Sequence, residues 1–137
     1  MSVVLNPYLN FKDNAREAME FYRSVFGGKL DMTTFKELGG SDDPSEADKI
    51  MHAVLETNSI TFMAADTPNH VEYSPGTNFN MSLSGDDEAT LRGYFEKLQA
   101  GGTVTMPLDK APWGDTFGMV TDKFGVAWLV NISPSEA

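Results

Sequence analysis

The sequence predicts an α+β fold: paired β-α-β-β-β modules forming curved mixed sheets around a cleft. Three observations predict it. First, a strand–helix–Gly-Gly pattern occurs twice: Asn6, Leu9, Asp13 and Gly27-Gly28 recur at a constant offset as Asn80, Leu83, Asp87 and Gly101-Gly102. Second, each copy carries one amphipathic stripe of helical period, Ala15, Ala18, Met19, Tyr22, Val25 and Phe26 in the first and Leu91, Tyr94, Phe95 and Leu98 in the second. Third, the chain closes on two β-prone runs, 116–121 and 126–131, around Asp122-Lys123-Phe124-Gly125, which reads as a hairpin. One helix covers one face of a sheet, so each module leaves a face bare. Curving both sheets around a shared interior covers the bare faces.

In order, 3–10 reads as the first strand, with Pro7 confined to an edge or bulge. Asn14 with Glu17 three residues on is a capping-box pattern for the first helix. Gly27-Gly28 ends that helix. The run 30–38 reads as the second strand, 39–47 as an exposed loop, and 49–57 with 59–65 as a hairpin about Asn58. A polar linker, 66–76, holds two prolines and His70. The plan then restarts: strand 79–84, a helix opened by Asp86-Asp87, strand 103–108, and the final hairpin. The expected organisation is one domain, with module one about 1–65 and module two about 77–133.

Composition is ordinary for a globular protein, with 41% hydrophobic and 22% charged residues. There are no cysteines, which excludes disulfides, thiolate metal sites and a catalytic thiol. A net charge of −10 argues against nucleic acid and anionic membrane as partners. It suits a cationic ligand, or solubility alone. No apolar run reaches the roughly 18 residues of a membrane span, and no signal pattern opens the chain, so the expected location is cytoplasmic.

Several motifs resemble a known family. They are Pro7-Tyr8-Leu9-Asn10-Phe11, Ala18-Met19-Glu20-Phe21-Tyr22, Met51-His52-Ala53, Val104-Thr105-Met106-Pro107-Leu108, Trp113-Gly114-Asp115 and Asp122-Lys123-Phe124-Gly125-Val126-Ala127-Trp128. In these, and in its paired modules, the chain is similar to the PhnB-like branch of the vicinal oxygen chelate superfamily, which includes glyoxalase I, extradiol dioxygenases and bleomycin-resistance proteins. The resemblance implies a small-molecule ligand and a homodimer. The family's usual aromatic before Trp-Gly is Pro112 here. Some members carry a methyltransferase label, but no glycine-rich turn opens a helix here to receive a nucleotide-like cofactor. No cofactor is expected.

Metal-dependent members of the superfamily take His and Glu ligands from inward-facing strands. A divalent ion needs three or four converging N or O donors. The strands here offer Asn6, Tyr8, Asn10, Thr61, Asn80, Ser82 and Asn131, and no metal is expected. One polar pair remains. By strand alternation Ile50, His52, Val54 and Glu56 share a face, and Met51, Ala53 and Leu55 share the other. His52 and Glu56 then stand about 13 Å apart along the strand, too far for a hydrogen bond but suited to opposite ends of one ligand. His52 is the candidate catalytic residue, as general acid or base, because imidazole titrates nearest neutral pH. Tyr8, Glu56, Phe62, Trp113, Phe117 and Trp128 are the candidate ligand-binding residues. Three functions stay open: metal-free binding of a small molecule, a metal-dependent lyase, isomerase or dioxygenase, and a metal-free enzyme using His52.

Overall fold

A computed structural model describes residues 2–39 and 43–134. The chain divides into two units, Met1–Ser74 and Pro75–Ala137.

In the first unit, strand β1 (Tyr8–Phe11) leads to helix α1 (Ala15–Phe26), β2 (Lys29–Thr34), a one-turn helix α2 (Phe35–Leu38), β3 (Ile50–Glu56) and β4 (Thr61–Asp66). The sheet order is β1-β4-β3-β2, with β1 parallel to β4 and the other pairs antiparallel. The buried stripe of α1 is Ala15, Ala18, Met19, Tyr22, Val25 and Phe26, as its spacing predicts. It lies on Leu9, Phe11, Ala53, Leu55, Phe62 and Ala64, all buried. Phe62 meets Tyr22 and Phe26 edge-on, with ring centroids 5.5 and 6.2 Å apart.

The second unit repeats the plan. Strand β5 (Met81–Gly85) leads to helix α3 (Glu88–Leu98), then β6 (Thr103–Lys110), β7 (Thr116–Thr121) and β8 (Ala127–Ile132). The sheet order is β5-β8-β7-β6, again with the first pair parallel. Leu91, Phe95 and Leu98 of α3 are buried, as are Met81, Val120, Trp128, Val130 and Ile132 of the strands. The turn between β7 and β8 is tied by Asp122, whose Oδ1 accepts from the amides of Phe124 and Val126 and whose Oδ2 accepts from Trp128 Nε1 at 2.8 Å.

Four local expectations are corrected. Strand 3–10 shrinks to Tyr8–Phe11, because Pro7 has no N–H for the ladder. Strand 30–38 stops at Thr34, where the Thr34 hydroxyl accepts from Glu37 N and the Glu37 carboxylate accepts from Thr34 N. That capping box turns Phe35–Leu38 into α2. The box expected at Asn14 does not form: the Asn14 side chain makes no capping bond, and Ala15 N donates instead to Asp66 Oδ1. The loop 39–47 contains a 3₁₀ turn, Pro44–Glu46, while 40–42 fall outside the described residues.

Candidate functional site

Each sheet has one face under its helix and one face that its helix does not cover. Cross-strand register assigns the residues, because opposed residues share a face. On the first sheet, Tyr8 is opposite Met63, Met63 opposite Val54, Thr61 opposite Glu56, and His52 opposite Thr33. These side chains make up the uncovered face.

Within it, the Tyr8 and His52 rings stand 6.1 Å apart between centroids and tilted by 36°. They come from strands separated by β4, which presents Met63 and Ala65 between them. Tyr8 is half-exposed and His52 half-buried. Partial burial pushes the Tyr8 phenol above its ordinary value, so it stays a protonated hydrogen-bond donor well past neutral pH. The result is a strip of Val54 and Met63 edged by a phenol and an imidazole. It can seat an apolar ring or chain and hydrogen-bond one polar group.

The other sequence candidates fall in different places. Glu56 is exposed at the end of β3, in an open hollow with Phe26, Gly28, Thr57 and Asn58, and is not gathered with Tyr8 and His52. Phe62 and Trp128 lie under the helices and are 1% exposed. They are core rather than walls of a ligand site. The reason is register: each precedes by one residue the strand partner, Met63 or Leu129, that faces outward. Ile50 does not stay in step with His52. A register shift between Thr33 and Thr34 leaves Ile50 buried and Met51 exposed.

On the second sheet, Phe117 is opposite Asn131 and Asp109, Met119 opposite Leu129, and Ser82 opposite Leu129. By register, Phe117 holds the place in this sheet that His52 holds in the first. Trp113, 63% exposed, meets Phe117 edge-on at 5.8 Å. Asn131 Nδ2 donates to Asp115 Oδ2 at 2.9 Å, a pairing across the hairpin that no sequence spacing announces.

Among the described residues, no three His, Asp or Glu side chains gather as a metal site would require. The uncovered faces therefore do not fit the ion of the metal-dependent superfamily members, and no step is derived through one. No helix among the described residues is long and apolar enough to cross a membrane.

A family model described as 3-demethylubiquinone-9 3-methyltransferase matches residues 4–131. Protein PA1353 from Pseudomonas aeruginosa is 40% identical, with a TM-score of 0.86 over 98% of this chain and 100% of that one. A PhnB protein from Bacillus cereus is 26% identical, with a TM-score of 0.76 over 96% and 100%. A glyoxalase/bleomycin resistance protein/dioxygenase family enzyme from Burkholderia phytofirmans is 14% identical, with a TM-score of 0.60 over 91% and 95%, a likeness of fold alone. The chain belongs to this PhnB-like family and has the fold of the glyoxalase/bleomycin resistance superfamily.

Proposed function

We propose that this PhnB-like protein binds a small, largely apolar organic molecule on its uncovered sheet faces, without a metal, and works as a cytoplasmic homodimer. The Tyr8–His52 pair beside Val54 and Met63 carries the reading. Two polar tips bordering an apolar strip orient a ligand, while the strip supplies the contact area. The second sheet's own uncovered face presents an aromatic pair, Trp113 and Phe117. The methyl transfer in the family's description is not adopted. The links before α1 and α3 are Lys12-Asp13-Asn14 and Asp86-Asp87, neither of them a glycine-rich loop.

A panel of neutral and cationic aromatic metabolites, screened by thermal shift, tests the proposal. Each hit is then titrated against the His52→Gln and Tyr8→Phe variants. Each variant is expected to weaken binding about three- to tenfold, the equivalent of one hydrogen bond of roughly 1 kcal/mol. Unchanged affinity in both would sink the reading. Stoichiometric Ni, Zn, Fe or Mn in purified protein would favour the metal-dependent alternative.

A second reading has one specific support. A protonated phenol next to an imidazole is an arrangement in which His52 can take or give a proton as general acid or base. In that case His52→Gln abolishes turnover of a converted hit while changing its affinity far less.

A further inference from the structure

We infer that the uncovered face of the second sheet recognises an organic cation, an alkylammonium group or an aromatic ring bearing one. The inference rests on the reading that small molecules bind these faces, and it adds the chemical class. Four observations carry it.

The first is the aromatic pair. Trp113 is 63% exposed yet held in place against Phe117 at 5.8 Å and 66°. The second is the turn that holds it. Ala111 N donates to Asp115 O at 2.7 Å and Gly114 N to Ala111 O at 3.0 Å. Gly114 sits at φ +104, a conformation that other residues rarely adopt. The third is the charge around the rings. Asp109 is opposite Phe117 on one side, and Asp115 is joined to Asn131 on the other. Among the described residues, neither carboxylate forms an ion pair, and Asp115 Oδ1 accepts no hydrogen bond. The fourth is the position of the nearest base in sequence. Lys110 pairs with Thr116, the next register position, and so belongs to the opposite face.

In register, Phe117, with Trp113 against it, lies between Asp109 on one neighbouring strand and the Asn131–Asp115 pair on the other. A cation near the rings gains from their quadrupoles and from both negative charges. A neutral molecule of the same shape gains only contact area, and an anion is repelled. The net charge of −10 adds a field of the same sign. A bare metal ion is a poor match, since two carboxylates, Asp109 exposed and Asp115 half-buried, supply too few ligands. A soft cation, cheaply desolvated, fits better.

Choline and its uncharged carbon isostere 3,3-dimethylbutan-1-ol are the probes. Binding is read from the emission of Trp113, with the Trp113→Phe variant identifying its share against buried Trp128. Choline is expected to bind at least about tenfold more tightly than the isostere. Asp115→Asn, which keeps an acceptor for Asn131, and Asp109→Asn are each expected to weaken choline about three- to tenfold and leave the isostere unchanged. Circular dichroism confirms that the variants fold, and either variant suffices if the other does not. Equal binding of the two probes, carboxamide variants that bind choline as well as the parent, or no response of Trp113 to choline would each overturn the inference. The Tyr8–His52 reading is judged by its own titration, so either can fail alone.

Discussion

Asp66 shows how much one side chain can organise. Its two carboxylate oxygens accept from Ala15 N at 2.9 Å and Ile50 N at 2.8 Å, and the residue is buried. One carboxylate thus caps α1 and ties it to the start of β3. Asp66→Ala leaves two buried donors without partners, at a cost of about 1–3 kcal/mol each. Urea denaturation should show a loss of roughly 2–6 kcal/mol; a loss near zero would mean that water replaces the carboxylate fully. A second carboxylate acts through charge. Asp13 meets Lys49 at 2.7 Å, and the Lys49 hydrogen bond holds the Asp13 carboxyl below its ordinary 3.8. A lowered folded-state value stabilises the protein above the ordinary value and loses that effect as pH falls through the lowered one. The advantage of the parent over Asp13→Asn should therefore be complete at neutral pH and fade below about pH 4. Denaturation midpoints of both proteins across that range are the check. Equal fading above pH 5 would assign it to another group. Sequence hinted at neither role: Asp66 reads as the first residue of a polar linker, and its partners are 51 and 16 positions away.

At the scale of elements, the doubled Gly-Gly has a packing reason beyond ending a helix. A Cβ on Gly28 would overlap the backbone of Glu56, and one on Gly102 would overlap the backbone of Thr121. Those contacts are register-equivalent, since Glu56 and Thr121 each lie two residues beyond the partner of Met63 or Leu129. The second glycine of each pair is therefore where the returning chain crosses the end of a strand. Gly102→Ala should destabilise by about 1–3 kcal/mol or more, because backbone rather than a movable side chain stands in the way. Gly93, inside α3, has nothing within 4 Å of its missing Cβ. Gly93→Ala should stabilise by up to about 1 kcal/mol through helix propensity. Thermal melts of the two variants should move in opposite directions; the same direction would refute the packing argument. Helices α1 and α3 were legible because their apolar stripes are long. Strand ends were not: whether Phe35 continues β2 or opens α2 depends on a Thr34–Glu37 box that competes with the ladder.

At the scale of the whole molecule, charge is the dominant long-range term. Twenty acidic residues face ten basic ones, and the ion pairs among the described residues are few and mostly exposed. Self-repulsion then opposes compactness, and salt screens it. Raising salt from about 10 mM to about 150 mM should raise the melting temperature. A fall would show that pairs such as Lys49–Asp13 outweigh the repulsion. The repeat also holds at this scale. Both units place their strands in the same order, so the same register argument sorts inward from outward residues in each.

Periodicity and repetition, which are properties of the chain itself, determined the two long helices with their buried stripes, most of the strands and the doubling of the module. They also placed Tyr8, His52 and Phe117 on strands. Alternation already put Ala53 and Leu55 under the helix and His52 on the other face, but for the strands of Tyr8 and Phe117 tertiary structure decided the side, because a one-residue slip reverses every side chain. That is why Phe62 and Trp128 became core while Phe117 stayed outward. It is also why Tyr8 reaches His52, and Asp115 reaches Asn131, across strands whose separation in sequence carries no local signal.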